Sequence, residues 1–131
     1  MAASAAIIFV LGAMHLWYTF CSNKLQPRDP DLRARLEQAP LVLTRKTTMW
    51  KAWVGFNASH SYGALLFGAI YGYLALVHSS FLFDSWYLLS TGLLVLLAYA
   101  FLGKRYWFSV PFRGILFATA LYVGALVVSV A

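Results

Sequence analysis

Four polar side chains with hydrogen-bonding chemistry lie close together inside an otherwise apolar stretch of the chain. The stretch reads WVGFNASHSYG from residue 53 to residue 63, and its polar members are Asn57, Ser59, His60 and Ser61. On an α-helix, Asn57 lies one turn from Ser61 and three residues from His60, so their polar edges can meet. A polar group without a partner is costly inside a membrane, so this cluster needs an internal partner or a ligand.

The first apolar stretch carries a second candidate, His15. It shares a helical face with Tyr18 and Thr19, which follow it at three and four residues. A histidine inside a membrane is a candidate for ligand binding or proton transfer. The alternative is a structural histidine that donates to a neighbouring group, with Tyr18 as an anchor at the membrane interface.

The composition indicates which class of protein holds these residues. The chain has 131 residues, of which 62% are hydrophobic and 11% charged, and its mean hydropathy is +0.72. Soluble domains contain about 25% charged residues. Apolar segments of about the length that crosses a bilayer lie at 5–21, 52–77, 87–102 and 114–130. The prediction is an all-α fold, a four-helix bundle that forms one transmembrane domain over residues 1–131.

The polar connection 22–48 is predicted to contain a short amphipathic helix. Asp29 would cap its N-terminus and Pro30 would be its first residue. Leu32 and Leu36 lie one turn apart on one side. We therefore expect this helix to rest on the membrane surface, with its leucines against lipid or the bundle and its charges in water.

The basic residues predict the orientation. All ten lie in or beside the connection 22–48 and the last connection, whereas both termini and the middle connection carry none. Cytoplasmic loops are enriched in Lys and Arg, so we expect these two connections in the cytoplasm and both termini outside. The net charge of +6 is then explained by topology and anionic lipid, and no nucleic-acid partner is expected.

The residue types that the spans lack exclude several functions. Cys21 is the only cysteine, so an intrachain disulfide and a cysteine-based metal site are excluded. No Asp or Glu lies within a predicted span, so neither carboxylate-based proton coupling nor a metal site of His and carboxylate ligands can be built there. We therefore expect no metal site, and the balance of residues is against an enzyme.

The predicted topology brings the two candidate groups to a similar depth. At about 1.5 Å per helical residue, His15 lies roughly 10 Å and His60 roughly 13 Å from the inner boundary. We predict one ligand-binding cavity in the cytoplasmic half, lined by His15, Tyr18, Asn57, Ser59, His60 and Ser61. Its mouth would carry basic side chains that suit an anionic headgroup, namely Arg45, Lys46, Lys51, Lys104, Arg105 and Arg113.

Three functions are open for such a site. The expected one is a non-enzymatic binding or accessory protein, without a cofactor, whose Asn/Ser/His cluster holds the headgroup of a membrane lipid or other amphiphile. The first alternative is a haem-binding or catalytic four-helix protein that uses His15 and His60 as ligands. The second is a purely structural subunit of a larger membrane complex, in which the cluster only fixes the helix register.

Small residues predict close helix contacts and a partner. Gly68 and Gly72 lie one turn apart in the second span, and the last span carries Gly114, Ala118 and Gly124. In lipid, such strips favour close helix packing. We expect that one bundle does not use all of them, and we predict a homo-oligomer or a larger membrane complex built on the span 4 face or the Gly68 to Gly72 face.

Three segments together resemble a known family. They are residues 44–63 with their W-x-G-F-N-x-S-H-S-x-G motif, residues 27–30 (PRDP) and residues 104–107 (KRYW). The chain resembles an uncharacterised family of small bacterial four-span membrane proteins, and the resemblance covers most of its length. It implies a bacterial inner (plasma) membrane, so that both termini would be periplasmic, and it implies no particular activity.

Overall fold

A computed structural model describes residues 1–130, which contain six α-helices. In chain order these are α1 (Ala2–Cys21), α2 (Pro30–Gln38), α3 (Met49–Val77), α4 (Ser79–Phe83), α5 (Trp86–Tyr106) and α6 (Ser109–Val130). The same residues contain no β-strand and only an isolated bridge between Pro40 and Thr48. The prediction of an all-α fold is confirmed.

Four of these helices, α1, α3, α5 and α6, are long and apolar enough to cross a membrane. At most 28% of the most apolar window of any of them is buried. Apolar side chains in mid-helix face outward instead, such as Val10 at 54% exposure, Leu66 at 60% and Leu94 at 66%. Soluble proteins rarely expose large apolar patches, whereas lipid tails solvate them. These features are those of a membrane protein with a transmembrane helix bundle.

The last two helices extend beyond their predicted spans. α5 ends at Tyr106 rather than at residue 102, and α6 begins at Ser109 rather than at residue 114. Pro111 therefore lies in the first turn of α6. A proline is tolerated there because the first turn of a helix has no internal acceptor for its N–H groups.

The described residues divide into two compact units. The first comprises Met1–Leu11 and the described residues from Ala64 onward, and the second comprises Gly12–Gly63. Helices α1 and α3 therefore contribute one part to each unit. In the first unit, these parts join α4, α5 and α6 around an apolar core whose fully buried members include Leu96 and Tyr122.

Two glycines of the first unit allow close helix contacts. A Cβ atom on Gly68 of α3 would lie 2.8 Å from the Ala5 carbonyl oxygen and 2.9 Å from the Phe9 Cα on α1. On α6, a Cβ atom at Gly114 would lie 3.0 Å from a Leu11 methyl group. The first unit thus uses Gly68 and Gly114 for its own packing, whereas a Cβ atom on Gly124 would meet none of the described residues within 4 Å.

Two tyrosines bind α5 within the first unit. The Tyr71 hydroxyl on α3 donates to the Leu88 carbonyl at 2.7 Å, and the Tyr122 hydroxyl on α6 donates to the Leu89 carbonyl at 3.0 Å. Gly92, nearly one turn further along α5, is buried against both rings. A Cβ atom on Gly92 would overlap the Tyr122 hydroxyl, so this contact requires glycine.

The second unit contains α2, which follows the unit's part of α1 and precedes its part of α3 along the chain. Asp29 caps its N-terminus, where its carboxylate accepts from the Asp31 N–H at 2.9 Å, and Pro30 is its first residue. No residue of α2 is buried. Arg33 fixes the helix to α3, because its guanidinium lies 3.6 Å from the centre of the Trp50 ring. The Arg33 side chain also pairs with Glu37 at 2.7 Å.

Candidate functional site

The central contact of the second unit joins α1 to α3 through a hydrogen bond between His15 and Asn57. His15 Nε2 lies 2.9 Å from Asn57 Oδ1, and Asn57 Nδ2 donates to the Trp53 carbonyl at 2.8 Å. This second bond orients the Asn57 amide, so Oδ1 is the atom that faces the histidine. Because Oδ1 can only accept, His15 Nε2 must carry a proton, and a neutral His15 then has its free lone pair on Nδ1.

His60 completes this group from α3. The His15 and His60 rings meet edge to face, with centroids 5.3 Å apart and an interplanar angle of 74°. Both rings are half-buried, as is Asn57. The contact of the two rings is thus a second link between α1 and α3, beside the hydrogen bond from His15 to Asn57.

The two predicted serines lie differently. Ser61 is fully buried, and its hydroxyl donates to the Asn57 carbonyl of its own helix at 2.9 Å. Ser59 is exposed, and its hydroxyl donates to the Phe56 carbonyl at 3.0 Å. Ser61 therefore lies beside the group of His15, Asn57 and His60, whereas Ser59 lies on an outward face of α3.

A cleft opens on the other side of Asn57, between the end of α1, the following loop and the start of α3. The space inside it that a water-sized sphere can occupy is about 10 Å³, room for about one water, so a larger ligand would contact the rim of the cleft rather than enter it. The Trp53 indole N–H donates to the Leu25 carbonyl at 3.0 Å and so holds the loop against α3. The cleft is lined by Thr19, Ser22, Leu25, Gln26, Trp50, Trp53, Val54 and Asn57. Asn57 therefore connects the cleft to the histidine pair.

The hydroxyl groups of the cleft are acceptors. Thr19 donates to the His15 carbonyl at 2.8 Å, and Ser22 donates to the Tyr18 carbonyl at 3.0 Å. A hydroxyl has one proton and two lone pairs, so both oxygens keep acceptor capacity, although Ser22 already accepts from the Lys24 N–H. These two hydroxyl oxygens suit a ligand that carries O–H or N–H donors.

Two cations lie over aromatic rings of the second unit, and one of these rings lines the cleft. The Lys24 ammonium group lies 4.2 Å from the centre of the Tyr18 ring, and the Arg33 guanidinium lies over Trp50, which lines the cleft. Neither cation is among the residues predicted for the site from the sequence. The available signal was the tyrosine and the tryptophan at the ends of the spans, since such rings attract cations as well as anchoring the helices.

The basic residues predicted at the mouth divide between the two units. Arg45, Lys46 and Lys51 belong to the second unit and are exposed. Lys104 and Arg105 end α5 in the first unit, and the exposed Arg113 lies near the start of α6.

The third histidine, His78, belongs to the first unit. His78 is exposed at the end of α3, with its Nε2 atom 3.2 Å from the Tyr73 hydroxyl. Among residues 1–130, no group of three or more His, Cys, Asp or Glu side chains is placed to hold a metal ion. The site is thus built from imidazole, amide, hydroxyl and indole groups.

Comparison with known proteins adds no identification. No protein family, no curated protein and no solved structure matches the chain. The resemblance to a family of small bacterial four-span proteins therefore stays a prediction, and the function has to be argued from the site.

Asn57→Ala tests the hydrogen bond that joins α1 to α3. We expect it to lower the free energy of unfolding by about 1 kcal/mol, because the His15 N–H loses its acceptor in a half-buried position. Unfolding in SDS from mixed micelles, followed by circular dichroism, measures this change. Ser59→Ala is the matched control and should change stability by less than about 0.5 kcal/mol. Equal losses in both variants would contradict the assigned role of Asn57.

Proposed function

We propose that the protein is a non-enzymatic, multi-pass protein of a bacterial inner membrane that binds the headgroup of an anionic lipid or similar amphiphile. The observation that carries the proposal is the cleft of the second unit, which combines hydroxyl and amide groups with two tryptophans at the end of membrane-crossing helices. Tryptophan at the end of a membrane-crossing helix marks the headgroup level of a bilayer.

The distribution of charge in the second unit favours an anionic amphiphile with a donor group. The Lys24 ammonium group, which has no ion pair among the described residues, suits a phosphate, and the Arg33 guanidinium over Trp50 keeps N–H donors outside its 2.7 Å pair with Glu37. The hydroxyl oxygens of Thr19 and Ser22 suit the hydroxyl or ammonium donors of a headgroup. Phosphatidylglycerol combines one negative charge with two hydroxyl groups, so it is the natural probe.

The proposed orientation places this cleft at the cytoplasmic leaflet, with both termini in the periplasm. It is supported by the ten basic residues, which all lie in or beside two connections that a four-span protein presents on one side. Cytoplasmic and periplasmic reporter fusions at residue 131 and within residues 22–48 test it. A cytoplasmic C-terminus would overturn it.

Haem is not part of the proposed function. Axial histidines bind haem iron from opposite faces of the porphyrin, so the macrocycle must lie between their rings. His15 and His60 instead touch edge to face at 5.3 Å, and His15 Nε2 donates to Asn57. Haem binding would have to separate the two rings and redirect His15.

A second candidate function is that of a subunit in a homo-oligomer or larger membrane complex. The observation that favours it is the open surface around two glycines, since a Cβ atom on Gly55 of α3 or on Gly124 of α6 would meet no atom of residues 1–130, as far as the structure describes them, within 4 Å. Gly68 is used within the first unit, so the span 4 face at Gly124 is the better surface of the two predicted. Native mass spectrometry from mild detergent would reveal such a complex.

The lipid-binding proposal is tested with the purified, delipidated protein and phosphatidylglycerol. The double variant Thr19→Val/Gln26→Leu removes polar atoms from the cleft walls without adding bulk at a buried position. We expect it to weaken binding about 30-fold, because two hydrogen bonds of about 1 kcal/mol each are lost. Ser59→Ala lies outside the cleft and should bind like the unmodified protein. Equal affinity of all three proteins would overturn the proposal.

A further inference from the structure

A loop next to the start of α3 exposes two apolar residues almost completely. Val42 and Leu43 have relative exposures of 110% and 91%, the two highest values among the large hydrophobic residues described. The next residues include Arg45 and Lys46, both exposed. Two fully exposed apolar side chains are unfavourable in water. Apolar side chains that can be buried and cations that attract anionic lipid are the two properties that bind a protein segment to an anionic membrane surface.

The base of this loop is fixed by backbone contacts. Pro40 and Thr48 form an antiparallel bridge, and the Met49 N–H donates to the Ala39 carbonyl at 2.8 Å. Within the loop, the Lys46 N–H donates to the Thr44 hydroxyl at 3.2 Å. The tip residues are therefore presented by a closed loop, which loses less conformational freedom on binding than an open chain would.

The loop base lies at the end of a membrane-crossing helix. It closes one residue before α3, whose first turns contain Trp50 and Trp53, the residue type that marks the interface. From Met49 back to Leu43 the chain can reach at most about 20 Å. The headgroup layer of one leaflet is only about 5–7 Å deep, so it lies within reach of the tip.

We propose that residues 40–48 form a second membrane contact, in which Val42 and Leu43 enter the cytoplasmic leaflet while Arg45 and Lys46 bind anionic lipid headgroups. Residues 38–83 contain no Asp or Glu, so the loop and the helix after it offer no acidic group to a basic protein partner. The two cations of the loop instead suit an anionic lipid. In the part of the chain that the structure describes, no ion pair joins Arg45 or Lys46, so their charges are available. The contact is separate from the cleft, and only its assignment to the cytoplasmic leaflet rests on the orientation proposed above.

The test places a fluorescent label at the tip of the loop. In a Cys21→Ser background, Leu43→Cys is labelled with nitrobenzoxadiazole, and the protein is placed in nanodiscs that contain brominated acyl chains. Ala34→Cys is the control, since Ala34 is exposed on the side of α2 away from Leu32 and Leu36. We expect strong quenching at residue 43 and weak quenching at residue 34 when the nanodiscs contain phosphatidylglycerol.

Charge removal decides between the outcomes. Arg45→Gln/Lys46→Gln should lower the ratio of inserted to water-exposed loop about 30-fold, because each basic residue near an anionic surface contributes about 1 kcal/mol. Arg28→Gln, which removes an exposed charge outside residues 40–48, should leave the label unchanged. Quenching at residue 43 no stronger than at residue 34, or unaffected by the double variant, would overturn the proposal. The exposed tip would then be assigned to a protein partner.

Discussion

Gly68→Ala is expected to destabilise the protein by about 2–3 kcal/mol. The added Cβ atom would lie 2.8 Å from the carbonyl oxygen of Ala5 and 2.9 Å from the Cα atom of Phe9. Both are backbone atoms of α1, which a side-chain rotation cannot move aside. Relief requires α1 and α3 to separate, and overpacking of this kind costs about 1–3 kcal/mol. SDS unfolding followed by circular dichroism measures the loss.

The matched control for this substitution is Gly124→Ala. It adds the same methyl group to a membrane-crossing helix, but at a place where the new atom meets nothing within 4 Å. Its higher helix propensity should leave stability unchanged or slightly improved. If Gly68→Ala were as harmless as Gly124→Ala, the close packing of α1 on α3 in the first unit would be refuted. A large loss at Gly124 would indicate instead that a second chain covers this face.

Gly92→Ala is expected to cost a similar amount through a different contact. Its Cβ atom would overlap the Tyr122 hydroxyl and would lie 2.7 Å from a ring carbon of Tyr71. Both tyrosines also donate hydrogen bonds to α5, at the Leu88 and Leu89 carbonyls. Moving the rings away would break these bonds, so we expect a loss of about 2–3 kcal/mol in the same unfolding assay.

A double-mutant cycle with Tyr122→Phe identifies the cause. Tyr122→Phe alone should cost about 1 kcal/mol, because the fully buried hydroxyl and its bond to the Leu89 carbonyl are removed. The same change removes the atom that Gly92→Ala would overlap. The two losses should therefore be less than additive. Additive losses would mean that Gly92 is required for a reason other than its contact with Tyr122.

The helices and the histidine pair are the features that the sequence predicts best. Apolar length alone identifies the four membrane helices, because the cost of unpaired backbone groups in lipid leaves few other structures. Sequential helices of opposite direction place His15 and His60 at similar depth, and the structure brings their rings to 5.3 Å. The short-range rules of helix capping likewise lead to Asp29 as the N-cap of α2.

The cleft and the glycine contacts depend on tertiary structure that no local pattern encodes. The bond from Trp53 to the Leu25 carbonyl joins residues 28 positions apart and depends on how the loop folds. A glycine strip indicates close packing but does not say which helix fills it, so Gly68 and Gly124 look alike in sequence and differ completely in their surroundings. Ser59 faces outward because α1 packs against α3 at Asn57 and His60 and leaves Ser59 uncovered. The sequence does not say which side of α3 receives α1.

The most direct test of headgroup binding is the affinity for phosphatidylglycerol of two variants that lose the same charge. Arg33 lies over Trp50 at the cleft, whereas Arg28 is exposed in the same connection and does not line it. Native mass spectrometry of the delipidated protein gives the dissociation constant of each, with phosphatidylcholine as the neutral lipid. We predict that Arg33→Gln weakens phosphatidylglycerol binding about fivefold while Arg28→Gln leaves it unchanged. Equal effects of the two substitutions, or no preference for phosphatidylglycerol over phosphatidylcholine, would contradict a headgroup site in this cleft.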